Sequence, residues 1–291
     1  MKKALYIIAA VFLFVSCEKD VDIDLPQPEA KLVVEGWIEN DAYPVVVLTR
    51  NSSYFDPVDS TTLANLFVTN ATVVVYDGFQ YDTLQPVVDF NNINNSVWPF
   101  IYYKGSKFKG TENGSYWLTI EAEGQSITGY TTIPTKHSFD SLWWKAEPVS
   151  DSLGYIWAKF SDDPAEKNYY RIFTRRLGRD FTDIPLFGST YDDIFFAGQS
   201  IDFSMFRGMN SLTNDSAYSD EEFGLFRKGD SVVVRLSCMD REHYDFWRTV
   251  EQESFSGGNP FSNPVTIRHN VVGAVGVFGG YGSVYDTIVI Q

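Results

Sequence analysis

Residues Gly114 to Ala122 alternate polar and apolar side chains without a break, turn at Glu123-Gly124, and resume as Gln125 to Ile133 before Pro134 stops the run. Alternation at period two marks a strand with one buried face, and two such runs about a Gly-containing turn read as a hairpin. The same grammar recurs upstream. Lys31-Leu32-Val33-Val34-Glu35-Gly36-Trp37-Ile38 and Tyr43 to Leu48 flank Asn40-Asp41. Ala71 to Tyr76 ends at Asp77-Gly78, a hairpin dipeptide, with Gln80 to Leu84 as the return strand. Regular short strands with turn chemistry predict an all-β fold whose first unit, residues 29–135, is an immunoglobulin-like β-sandwich.

A second sandwich is expected over 136–291. Its strands are Ser141 to Lys145, Tyr155 to Phe160, Tyr169 to Thr174, Val232 to Leu236 and Ile288 to Ile290. Residues 179–228, rich in Phe, Gly, Asp and Ser, read as a long irregular insertion of the kind that carries partner contacts. One helix is predicted over 240–254. Asp240 suits the N-cap, and Tyr244, Trp247 and Val250 recur at helical spacing beside His243 and Phe246.

The 23 Lys and Arg stand against 38 Asp and Glu, a formal net charge of −15. Such a chain repels phosphate backbones, which argues against nucleic-acid binding. Three His and two Cys leave few parts for a His- or Cys-based metal site. There is no nucleophile elbow and no His-Glu-x-x-His. The glycines Gly276, Gly279, Gly280 and Gly282 are followed by no Lys-Ser/Thr, and they fit a bend or a close approach of backbones better than a phosphate cradle. The expectation is a protein that is not an enzyme, with no catalytic residues, no bound metal and no cofactor.

Four further candidates each have two readings. Asp162, Asp163 and Glu166 suit a turn better than a Ca²⁺ site. Trp98 and the Trp143-Trp144 pair suit packing, with sugar stacking as the alternative. His243 suits a satisfied buried histidine better than a ligand. Cys238, inside an apolar run, suits a small buried side chain better than a reactive thiol.

The first residues point to an address. Lys2 and Lys3 precede an unbroken apolar run, Ala4 to Val15, too short to span a bilayer comfortably. It ends Phe14-Val15-Ser16-Cys17. This resembles the lipobox of bacterial lipoproteins, which implies acylation of Cys17 and cleavage after Ser16, so that residues 1–16 are a signal peptide; an ordinary signal peptide is the alternative. Two or more acyl chains anchor a protein stably. The processed chain would carry 21 basic and 38 acidic residues, a net charge of −17. Residues 17–28 form an acidic tether. Asp20-x-Asp22-x-Asp24 is not an EF-hand loop, because Leu25 and Lys31 stand where Gly and Glu are needed. Glu18, Lys19 and Asp20 resemble the surface-export signal of Bacteroidota lipoproteins, with a solvated periplasmic linker as the alternative.

Taken with Leu32 to Ile38, Phe160-Ser161-Asp162-Asp163-Pro164, Asn168-Tyr169-Tyr170-Arg171, Gly258 to Pro264, Asn270 and Gly276 to Tyr281, the chain resembles the Bacteroidota lipoprotein family catalogued as domain of unknown function 4249. The resemblance implies a lipid-anchored outer-membrane protein, commonly found beside TonB-dependent receptors, and it carries over no active site. Two functions follow as expectations. One is an accessory subunit of an outer-membrane β-barrel, exposed at the cell surface. The other is a stand-alone binding module for glycan, peptide or host surface. The small-molecule ligand is unspecified.

Seven places read Asp, then Ser or Thr, then an apolar residue or Thr, with the hydroxyls on Ser60, Thr83, Ser141, Ser152, Ser216, Ser231 and Thr287. The pattern resembles the O-glycosylation acceptor of Bacteroidota envelope proteins. Turn chemistry at strand starts is the rival explanation.

Overall fold

The computed structural model describes residues 31–51, 65–94, 98–194, 196–209, 222–256 and 265–291. Cys17, Glu18, Lys19, Asp20, the tether, Ser60 and Ser216 lie outside the described residues.

The chain is all-β, with one substantial helix among the described residues. Strands β1 (Leu32–Glu39), β2 (Val45–Arg50), β3 (Thr72–Tyr76), β4 (Tyr81–Val88), β5 (Ile101–Lys104), β6 (Ser115–Ala122) and β7 (Gln125–Thr132) build the first sandwich, with a short helix α1 (Phe90–Asn94) between β4 and β5. The alternation in β6 is what buries it: Tyr116, Leu118, Ile120 and Ala122 face inward, and Trp117, Thr119 and Glu121 face out. They meet Val34 and Ile38 of β1, Val46 and Leu48 of β2, Val73 and Val75 of β3 and Ile127 of β7 in one core. β5 pairs with both β2 and β4 and so joins the two layers along one side.

The second sandwich packs β8 (Ser141–Glu147), β9 (Ser150–Ser161), β12 (Ser200–Met205) and β13 (Phe226–Arg227) against β10 (Tyr169–Arg176), β11 (Ile184–Asp192) and β14 (Ser231–Met239). Its core interleaves Ile156, Ala158 and Phe160 of β9 with Tyr170 and Ile172 of β10 and Val232, Val234, Leu236 and Cys238 of β14.

The two sandwiches share a strand. After β15 (Val271–Val272), which pairs with β7, the 15-residue β16 (Val275–Val289) first runs parallel to β1, from Val33↔Val275 to Glu39↔Tyr281. It then runs antiparallel to β14, from Cys238↔Gly282 to Ser231↔Val289. The result is a continuous 12-stranded sheet. Residues 271–281, expected in the second unit, therefore pair with the first. A parallel partner can only arrive by a crossover, and here the connection from β1 to β16 is the rest of the first sandwich followed by β8 to β15 and the helix before β15. The glycines of β16 are where neighbours press on its backbone. A Cβ on Gly279 would lie 2.1 Å from the His243 ring, and one on Gly280 would lie 2.1 Å from the Thr132 carbonyl oxygen.

Helix α2 (Arg241–Ser256) follows β14. Asp240 caps it as expected, its Oδ1 accepting the His243 amide at 2.8 Å. The other carboxylate oxygen accepts the Thr131 hydroxyl at 2.7 Å, and the Gly280 amide donates to that same hydroxyl at 2.7 Å. One side chain thus ties the helix to β7 and β16. The stretch 179–228 departs from the irregular loop expected. Its described part contains β11, β12 and β13, and β11 and β12 pair with β10 and β9. Alternation is broken in β11 by Gly188, at φ 73°, and by a register shift opposite Arg171 and Phe173. Pro185 is tolerated there because β11 is an edge strand.

Candidate functional site

Because β16 joins the sandwiches, residues from both lie on one sheet face. Val34 and Ile38 of β1 point into the first core, so Glu35 and Trp37 point away from it. Ile172 of β10 and Val234 and Leu236 of β14 point into the second core, so Arg171, Phe173 and Arg235 point away from that. These outward residues, with Tyr281 of β16, floor a cavity of about 520 Å³. Trp247 and His243 of α2, Trp98-Pro99 and Ile184-Pro185 wall it. The volume lies in the range of small-molecule sites, as does the mixture of indole walls with a few polar groups.

Arg171 is buried. Its guanidinium stacks 3.6 Å from the Trp247 ring centroid and lies 4.9 Å from that of Phe173. Nε donates to Ser189 Oγ at 3.1 Å and Nη1 to the Tyr281 hydroxyl at 3.0 Å. Glu251 of α2 accepts from the Ser189 hydroxyl and amide and from the Thr190 hydroxyl, which locks β11 behind the arginine. Among the described residues no carboxylate forms an ion pair with Arg171. Arg235 differs. It pairs with Glu39 at 3.0 Å and reaches Asp183 at 3.7 Å. Burial opposes its charge, but Glu39, Tyr285, Tyr281 and Asp183 together outweigh burial and hold its pKa above the ordinary value.

Two acids line the cavity, Asp183, engaged by Arg175 and Arg235, and Glu35. Burial pushes the pKa of Glu35 up, against the hydrogen bond from Trp98 and the charge of Arg171, which both pull it down. The Trp98 Nε1–H donates to Glu35 Oε2 at 2.9 Å. His243 is buried and its pKa is pushed down to about 4, by burial first, with Arg171 and Arg235 adding to the fall and Asp240 and the Gly280 carbonyl opposing it. The charged pieces are thus Arg235 balanced by Glu39 and Asp183, Arg171 without an anion in contact, and Glu35 held by an indole, with the neutral imidazole of His243 beside them.

The residues singled out from sequence fall as follows. His243 is a satisfied buried histidine that also lines the cavity. Trp98 is there too, packed against Phe67 and Phe100 at 5.5 and 5.8 Å between centroids. Trp143 stacks on Trp157 at 6.3 Å, with Lys145 Nζ 4.2 Å from the latter ring centroid. Cys238 is buried and its thiol is pushed up to about 12 by that burial. The turn residue Asp162 is buried rather than solvated. It accepts the Tyr170 hydroxyl at 2.7 Å and the Gly198 amide at 3.2 Å. Asp163 closes the turn on the Ala165 amide. Of the five described Asp-Ser/Thr places, Thr83, Ser141, Ser152 and Thr287 are exposed and Ser231 is half-buried. Thr83 and Thr287 lie within strands rather than at their starts.

Sequence reading missed Glu35, Arg171 and Arg235 as site residues. Their signal was present: each is a lone charge inside an otherwise apolar strand run, and each sits on the face turned away from its own core.

A second feature lies on the outside of the first sandwich. Tyr81, Tyr76, Trp117 and Tyr130 are directly opposed across β4, β3, β6 and β7. Their rings follow at 4.4, 5.7 and 5.2 Å between centroids, an aromatic ladder open to solvent at Tyr81, Trp117 and Tyr130. Thr83, Val74, Thr119 and Thr128 form the next row on the same face.

The sequence matches the family described as a domain of unknown function, DUF4249, over residues 18–286, and the chain belongs to that family. No curated protein matches it.

Proposed function

We propose that this DUF4249 protein is a lipid-anchored, surface-exposed outer-membrane protein that binds rather than catalyses. In this reading it is an accessory subunit of a TonB-dependent or similar β-barrel receptor and presents a small solute from the cavity between its sandwiches. The cavity carries the reading. Its floor comes from a continuous sheet and one wall from a capped helix, which makes that part preformed, and its polar groups include two arginines, an indole-held carboxylate, Asp183 and a neutral imidazole. The anchor rests on Cys17 and the surface location on Glu18, Lys19 and Asp20. The test is purification of the tagged protein from host outer membranes in mild detergent, followed by native mass spectrometry. A barrel protein should co-purify, and a small adduct should be present on the chain. Recovery of the chain alone and without an adduct refutes the reading.

The aromatic ladder supports a second reading, a stand-alone module for glycan, because an exposed row of rings offers faces to sugar C–H groups. Retardation of the protein in gels containing polysaccharide, lost in Trp117→Ala, would favour it. Retardation that is unchanged by that substitution would remove it.

A further inference from the structure

We propose that the cavity is a site for a zwitterion, an α-amino acid with an apolar or aromatic side chain, whose carboxylate pairs with Arg171 and whose ammonium pairs with Glu35. The inference rests on the binding reading above and names the ligand class of that site.

The argument starts from two incomplete groups that share one cavity. The Arg171 guanidinium uses Nε and Nη1 on Ser189 and Tyr281. Neither is an anion, so among the described residues its charge has no counter-ion in contact. Glu35 accepts one bond, at Oε2 from Trp98, and takes no ion-pair partner among the described residues. The two are near enough for the guanidinium to pull down the carboxyl pKa, yet they do not form an ion pair with each other. Arg171 is buried and Glu35 half-buried; a charge withdrawn from water without a partner is costly, and a ligand that brings the opposite charge relieves the cost.

Ligand charge then decides. A simple anion at Arg171 would sit in the field of Glu35. A simple cation at Glu35 would sit in the field of Arg171. A zwitterion satisfies both and leaves the cavity neutral overall. It would also bring ammonium donors to a carboxylate that has open acceptor capacity and a carboxylate to a fork of N–H donors. Arg235 does not compete, since Glu39 and Asp183 already balance it. The remaining wall is Trp37, Trp98, Trp247, Phe173 and Pro185, which suits an apolar side chain.

Trp37, Trp98 and Trp247 make the protein its own reporter, so the test is intrinsic-fluorescence titration of the purified protein with L-phenylalanine, N-acetyl-L-phenylalanine and L-phenylalanine amide. The zwitterion should bind saturably, and each derivative, having lost one charge, should bind at least tenfold more weakly. Arg171→Gln should abolish discrimination against the amide, and Glu35→Gln should abolish discrimination against the N-acetyl derivative. The derivatives test the wild type directly, so a variant that does not fold leaves the experiment decisive. Binding of the N-acetyl derivative or the amide as tight as that of L-phenylalanine overturns the inference. So does the absence of saturable binding of L-phenylalanine and, titrated in the same way, of L-leucine and L-methionine. If the native protein nonetheless carries a small adduct without a zwitterion, the binding reading stands and the ligand class is lost.

Discussion

The Trp247 indole N–H donates to Nε2 of His243 across 3.0 Å, one turn apart on helix α2. An indole nitrogen can only donate, so Nε2 must accept, and the imidazole proton sits on Nδ1, 3.3 Å from the Gly280 carbonyl oxygen. Protonating His243 would cost the Trp247 bond and bury a cation beside Arg171 and Arg235. The pKa near 4 and the hydrogen bonds describe the same neutral tautomer.

That relationship sets a pH dependence. The unfolded imidazole titrates near its ordinary 6.5, the folded one near 4. Below about pH 6.5 the unfolded chain takes up a proton that the folded chain refuses, so stability falls as the pH drops towards about 4 and then levels off. Each unit of pKa difference is worth about 1.4 kcal/mol of stability in all. Urea denaturation of the wild type and His243→Gln at pH 7 and pH 5 isolates this contribution, since the other titrating groups are common to both. The glutamine variant should lose less stability on acidification. An NMR titration placing His243 near 6.5 would contradict a folded state that refuses the proton.

Glu35 gives the opposite sign. Its folded pKa lies above the unfolded value, mainly through burial, so the folded state binds this proton more tightly. The contribution to stability is greatest at low pH and is lost as pH rises through the folded pKa. Glu35→Gln keeps an oxygen to accept from Trp98 and removes the charge. Its midpoint in urea at pH 7 should lie above that of the wild type, and the gap should narrow at pH 4. A variant less stable than the wild type at pH 7 would show that the carboxylate holds the fold together rather than serving a ligand.

Much of the first sandwich is legible in the sequence because its strands alternate. Tyr116 to Ala122 announces which face is buried, and Asp77-Gly78 announces a turn. The shared strand is not legible. Val275 to Val289 contains four glycines, pressed in turn by Val34 of β1, His243 of α2, Thr132 of β7 and Pro134 beyond it, and a glycine pattern reports closeness without naming the neighbour. The cavity is half legible. Glu35, Arg171 and Arg235 stand out as lone charges in apolar runs, but only the pairing of β1, β16, β14 and β10 puts them on one face. β11 was hidden for a local reason, the bulge around Gly188 that erases period two.

The closeness at β16 can be measured. A methyl group on Gly279 would overlap the His243 ring, and α2 cannot yield freely while Asp240 binds Thr131 and caps the helix. Gly279→Ala should therefore cost about 3 kcal/mol through overpacking. Gly178→Ala is the control for position. It has open space but a φ of 79°, so its cost is conformational alone, about 1 kcal/mol. Equal urea midpoints for the two variants would deny the packing of helix on strand.

Exposure orders the proposed glycan acceptors. Ser141 lies on β8, which among the described residues is an edge strand paired only with β9, and Ser152 follows the turn between these two strands. Both hydroxyls are exposed, and so are Thr83 and Thr287, whereas Ser231 is half-buried between β10 and the end of β16. The aspartates do not all need a glycan to explain them. Asp82 accepts the amides of Ser106 and Lys107 at 2.7 and 2.8 Å, and Asp140 accepts the Ser161 hydroxyl at 2.7 Å. Asp151 and Asp286 have no such partner among the described residues, and Asp151 is exposed where Asp286 is half-buried, which makes Asp151-Ser152-Leu153 the place where the motif has least structural excuse. Protein purified from its native host should show mass beyond polypeptide and acyl groups, and Ser152→Ala should remove one increment while Ser231→Ala removes none. A sugar there would also cover the exposed edge of β8 against pairing with another chain. An intact mass equal to polypeptide plus acyl groups ends the proposal for every site at once, and an increment that survives Ser152→Ala but vanishes in Ser231→Ala would show that exposure is not what selects the acceptor.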